Sequence, residues 1–185
     1  MKLSRWRKYD KKSKLWIPHE RRVYFYWYVF LQHAERDSTR VVNWDLYQDW
    51  GGRDFVMSTK FDYWWRQRWK YLFSIQKEGD KPRRKLTTGR PKADAYRYAL
   101  LVYEHGLSGI SETWEIACLI AAREKNKRKL KLTSLEFFYA TPAEIRSKLT
   151  PQERSVRKKK VQRAISKYKK SAARYLDNVC TGQFP

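Results

Sequence analysis

Between residues 152 and 178 one pattern constrains what the chain can become. The stretch reads QERSVRKKKVQRAISKYKKSAARYLDN, and among its apolar side chains Val161, Ile165, Tyr168, Ala172, Tyr175 and Leu176, with Val179 just beyond, form a series. Their spacing alternates between four and three residues as far as Tyr175. At about 100° per residue this puts them on one narrow side of an α-helix. Such a stripe must be covered by a core or by a partner helix. The opposite side carries Lys159, Lys160, Arg163, Lys167, Lys170 and Arg174, with Lys158 extending the run and no Asp or Glu on that face. A helix apolar on one side and cationic on the other can anchor in protein while presenting its charge to a polyanion. A merely solvated face is the plainer alternative.

Whole-chain charge favours the first reading. There are 42 Lys and Arg against 19 Asp and Glu, a formal net charge of +23 and a sequence pI near 10.1. That excess repels itself in a compact fold and suggests a partner of negative charge. Nucleic acid ranks first, an anionic membrane surface second and an acidic protein third. Pure disorder is excluded by a 16% aromatic content, including nine Trp and thirteen Tyr, since basic disordered tails are poor in aromatics.

The two cysteines, Cys118 and Cys180, are far apart and suggest reduced thiols, with neither a disulfide framework nor a Cys-rich zinc site. The first eighteen residues are basic and polar, unlike a secretory signal, and no run of eighteen apolar residues suggests a membrane span. The expectation is therefore a protein of a cytosol-like compartment with no membrane partner.

The pattern divides the chain into five parts. Residues 1–20 read as a basic arm without periodicity, and residues 21–76 as an aromatic helical subdomain. Within the latter, RRVYFYWYVFLQHAER (21–36) has β-prone aromatics but a helix-forming end and no turn signal, so it reads as a helix buried on most sides. Residues 42–52 suggest a short helix capped by Asn43 and stopped by Gly51 and Gly52. Residues 61–74 form a third helix, with Phe61, Trp64, Trp65, Trp69 and Leu72 on one face and Thr59 as its cap. Residues 77–92, holding Gly79, Pro82, Gly89 and Pro91, read as a linker. There Arg90 and Lys92 suit an arm entering a minor groove.

Residues 93–179 read as a helix-turn-helix-like nucleic-acid-binding unit. A helix over 93–105 is followed by the turn Gly106-Leu107-Ser108-Gly109 and a helix over 112–124 capped by Ser111. Lys127, Arg128 and Lys129 lie in a basic loop suited to phosphates. Thr141-Pro142 and Thr150-Pro151, the latter with Glu153, are helix start signals, and the second opens the long basic helix. Residues 180–185 read as a tail.

No catalytic constellation is present: no phosphate-cradling loop, no GxSxG and no HExxH. Asp45, Asp49, Asp54 and Asp62 form a loose acidic set that would suit Mg²⁺ in a nuclease, but caps and salt bridges account for them better. The expectation is a non-enzyme with no cofactor and no metal.

FDYWWRQRW, ETWEIACLIA and YLDNVCTGQFP together resemble small basic helix-turn-helix-like proteins of bacterial phages and mobile elements. In ETWEIA, the Glu-Ile-Ala ending resembles the first helix of that motif, where the Ala packs on the second helix. The resemblance implies DNA binding without naming a target. The reading is thus an all-α protein: an aromatic-rich N-terminal helical unit plus a C-terminal helix-turn-helix-like unit ending in a long basic amphipathic helix. Its expected partner is duplex DNA, with RNA second, and it would act as a homodimer or within a larger nucleoprotein complex.

Overall fold

A computed structural model describes residues 7–10, 15–18, 21–73, 93–126 and 150–184, with side chains over 21–68, 93–123 and 150–184. From Arg21 onward every described element is helical. In order they are α1 (Arg21–Arg36), a 3₁₀ helix (Trp44–Trp50), α2 (Gly52–Ser58), α3 (Phe61–Phe73), α4 (Ala93–Leu107), α5 (Thr113–Asn126) and α6 (Pro151–Cys180). The all-α expectation holds over that span. The N-terminal stretch departs from it, because β1 (Arg7–Asp10) and β2 (Leu15–Pro18) pair antiparallel with Tyr9 opposite Trp16. The expected linker at 77–92 and the start signal at Thr141 lie outside the described residues.

The chain forms two compact units, one of Met1–Tyr96 with Arg174–Pro185 and the other of Arg97–Ala173. In this grouping the C-terminal residues join the N-terminal unit. The physical reason is Phe184, which is fully buried. Its ring lies 5.7 Å from Trp27, 5.2 Å from Tyr96 and 5.5 Å from Tyr175. Gly182, at φ 72, turns the chain back after α6, with Gln183 N–H bonding Asn178 O and Gly182 N–H bonding Val179 O. This Schellman ending redirects Phe184 into the core.

The first unit is an aromatic core. Val23, Trp27, Tyr28, Phe30 and Leu31 of α1 are at most 2% exposed, so core packing won over the β-propensity of its aromatics. The rings meet in tilted and edge-to-face pairs, such as Trp50 with Trp64 at 4.5 Å. Several polar tips inside this core find partners, whereas the buried Trp50 Nε1 has none among the described residues. Trp27 Nε1 donates to Tyr47 Oη at 3.0 Å, and Tyr47 Oη donates to Val179 O at 2.7 Å. Trp64 Nε1 donates to Trp50 O at 2.9 Å.

The 3₁₀ helix begins as expected at Asn43, whose side chain accepts from Asp45 N–H, and ends at Gly51 in the left-handed region. Helix α2, which follows at once, was not foreseen. The cap of α3 also differs: Lys60 O accepts from Tyr63 and Trp64 N–H. Thr59 instead turns its hydroxyl back to Phe55 O at 2.6 Å.

In the second unit, α4 ends in another Schellman turn. Gly109, at φ 82, bonds Gly106 O while Ile110 N–H bonds His105 O, and Ile110 packs on the core. The cap of α5 is Glu112, whose carboxylate accepts from Trp114 and Glu115 N–H. The expected cap, Ser111, lies one residue too early. Its carbonyl serves another purpose, described below.

Candidate nucleic-acid interface

The basic face of α6 is positioned from its first residue. Thr150 Oγ1 accepts from Glu153 N–H at 3.3 Å, and Glu153 Oε2 accepts from Thr150 N–H at 2.9 Å. This reciprocal capping box, with Pro151 at the first helical position, starts the helix. The bonds from the Thr150 backbone and then its hydroxyl hold the Glu153 carboxyl below its ordinary value.

Further along, Val161 and Ile165 are buried among Leu101, Val102, Ile116, Ala117 and Ile120 of α4 and α5. Tyr168 packs against the same cluster, its ring 5.6 Å from that of Tyr98. Val161, Ile165 and Tyr168 thus cover their own chain's core, so the seam needs no partner helix.

One flank of α6 is tied to the start of α5. Lys158 Nζ stands 5.6 Å over the Trp114 ring, and Lys169 Nζ donates to Ser111 O at 2.8 Å. Lys158, expected to face nucleic acid, is therefore partly engaged by Trp114. Nothing in the periodicity of α6 distinguishes it from its neighbours, and only the position of Trp114 does.

The opposite side is different. Lys159, Lys160, Arg163, Lys167 and Lys170 are all exposed, and among the described residues none of them has an ion-pair partner. Lys159, Arg163, Lys167 and Lys170 follow one another along the helix at rises of about 6, 6 and 4.5 Å. A shallow depression of about 510 Å³ lies over Lys159, Gln162, Arg163, Ser166, Lys167 and Lys170. Four cations and two neutral polar groups line it on a convex helix. That suits an extended anion better than an enclosed small molecule.

Arg174 is also exposed, belongs to the first unit, and lies 5.4 Å over the Tyr175 ring. Arg90, Lys92, Lys127, Arg128 and Lys129 lie outside the described residues.

Arg21 pairs with Asp62, Arg22 with Asp94, Arg53 with Glu35, and Arg40 with both Asp37 and Asp177. Of the loose acidic set, Asp62 is thus in an ion pair, and Asp54 lies 3.8 Å from Arg53. Among the described residues no group of three or more His, Cys, Asp or Glu is placed to hold a metal ion. Cys118 and Cys180 are free, and burial pushes both thiols up, away from the reactive thiolate.

No family model, curated protein or solved structure matches this chain. Among the described residues no helix is long and apolar enough to cross a membrane.

Proposed function

We propose that the protein binds duplex DNA through the exposed cationic face of α6, with α4, its Gly109 turn and α5 as the helix-turn-helix-like support. The observation that carries this reading is the contrast along one helix: Val161 and Ile165 buried, and Lys159, Arg163, Lys167 and Lys170 exposed and unpaired among the described residues. Charges left unneutralised by a fold with so many acids in caps and ion pairs are available to phosphates. The roles that fit are a regulator, or an accessory factor in replication, recombination or transposition, on a phage or mobile element.

RNA is the second reading, and it requires aromatic platforms for stacked bases. Among the described aromatics only Phe25 and Tyr63 are exposed, at 37% and 49%. The exposed cationic face of α6 favours the duplex. Dimerisation through the apolar seam of α6 is no part of the proposal, since that seam is buried within the chain.

The test is fluorescence anisotropy with a random duplex and a single-stranded RNA over a range of salt. Five phosphate contacts correspond to a log–log slope of about −4 to −5 on duplex DNA. Replacing Lys167 and Lys170 by Gln should flatten that slope by about 2. Tighter binding to the RNA, or no binding to either at low salt, overturns the proposal.

A further inference from the structure

We infer that the first four turns of α6 enter the major groove of B-form DNA and that Gln152, Val156 and Arg163 determine which sequence is bound. The inference rests on the duplex reading above and assigns its base contacts.

Three features of these turns carry it, and the first is access. From Pro151 to Lys160 every residue is exposed except Arg154 and Arg157, which are half-buried, and burial begins only at Val161. These turns are therefore open over most of their surface, with Lys158 beside Trp114 on one flank. An α-helix is about 10–12 Å across with its side chains, and the B-DNA major groove is about 12 Å wide. The major groove of an A-form duplex is deep and narrow and excludes it.

The second feature is the helix tip. A bare helix N-terminus would attract a phosphate through its free N–H groups. Here the Thr150 hydroxyl and the Glu153 carboxylate occupy two of those groups, the Glu153 and Thr150 N–H, and the carboxylate repels an incoming phosphate. Contact with DNA falls to the side of the helix.

The third is the chemistry of that side. Gln152, Val156, Lys159 and Arg163, at i, i+4, i+7 and i+11, share one face and are all exposed. Val156 is 63% exposed in the middle of this otherwise polar and cationic row. A valine does nothing for phosphate binding, but its methyls match the C5-methyl of thymine. The Gln152 carboxamide can pair with N6 and N7 of adenine, and the Arg163 fork with O6 and N7 of guanine. From Gln152 to Arg163 the helix rises about 16 Å, roughly five base pairs at 3.4 Å each. Lys159 and the cations beyond Arg163 hold the backbone while these three read.

The experiment selects a bound sequence from a randomised duplex pool with the full-length protein. It then measures anisotropy at fixed salt on the selected duplex, with each thymine replaced in turn by deoxyuridine. Wild type should lose about fourfold at one position, the worth of a single methyl-sized group removed from water. Val156→Ser should lose nothing there and keep the wild-type salt slope. Gln152→Ala should relax the preference for adenine at one neighbouring position. A selection without a consensus, or an equal deoxyuridine loss in wild type and Val156→Ser, overturns the inference and leaves duplex binding standing. Failure to retain any duplex in the selection overturns the duplex reading itself.

Discussion

Single residues hold the first unit together in ways that a substitution can expose. Gly51 has φ 103, and a Cβ there would sit 2.5 Å from Phe55 Cδ1. Gly51→Ala should therefore cost about 1–2 kcal/mol, through backbone strain and a displaced ring. Phe184→Ala opens a cavity between Trp27, Phe30, Tyr96 and Tyr175 and should cost about 3–5 kcal/mol. Thermal denaturation reads both, at roughly 2–4 °C per kcal/mol for a chain of this size. A third residue speaks to pH. Tyr28 Oη lies 2.7 Å from Val56 O and 2.8 Å from Thr59 O, and burial raises its pKa from 10.0. The folded state thus keeps this proton longer than the unfolded chain does. The stability it contributes is complete below pH 10.0 and is lost as pH rises through the folded value. Tyr28→Phe should remove that alkaline dependence.

At the scale of elements, α6 is the one whose start can be tested alone. Thr150→Ala removes one half of its capping box and should cost about 1 kcal/mol. The Glu153 half is sensitive to acid. Its carboxyl is held low in the folded state, so its contribution is present above the ordinary carboxylate value and is lost as pH falls through the lowered one. Circular dichroism at 222 nm should show a small loss of helix in acid as the first turn frays, absent in Glu153→Gln. The helices α1, α3, α4, α5 and α6 were legible in the sequence because each runs thirteen residues or more, α3 and α6 through an apolar face and α1 through its helix-forming end. The apolar and cationic sides of α6 were legible for the same reason. What escaped was local. Helix α2 spans seven residues behind two glycines, and β1 and β2 have four residues each among cations. The capping choices of Glu112 over Ser111 and Lys60 over Thr59 depend on where the first turn closes, which composition does not set. The burial of Phe184 has no periodic signal at all, being one ring after a glycine turn. Lys158 looked like its neighbours until Trp114 was located beside it.

The whole molecule carries +23, and that charge should make salt act in opposite directions on its free and bound forms. Without DNA, added salt screens self-repulsion and raises the melting temperature. With excess duplex the complex melts higher at low salt, because binding stabilises the folded state, and added salt then lowers it as affinity falls. A differential scanning fluorimetry series crossing salt with and without duplex would show two slopes of opposite sign, whereas parallel slopes would argue that the charge meets no DNA. The discontinuous first unit has a consequence for how the protein is made. Synthesis delivers Trp27, Phe30 and Tyr96 long before Tyr175 and Phe184, which complete the same core. At about 5–20 residues per second the ribosome takes several seconds to cross the intervening second unit. Through that interval the nascent chain carries an unfinished aromatic surface, which is completed only when residues 174–185 emerge.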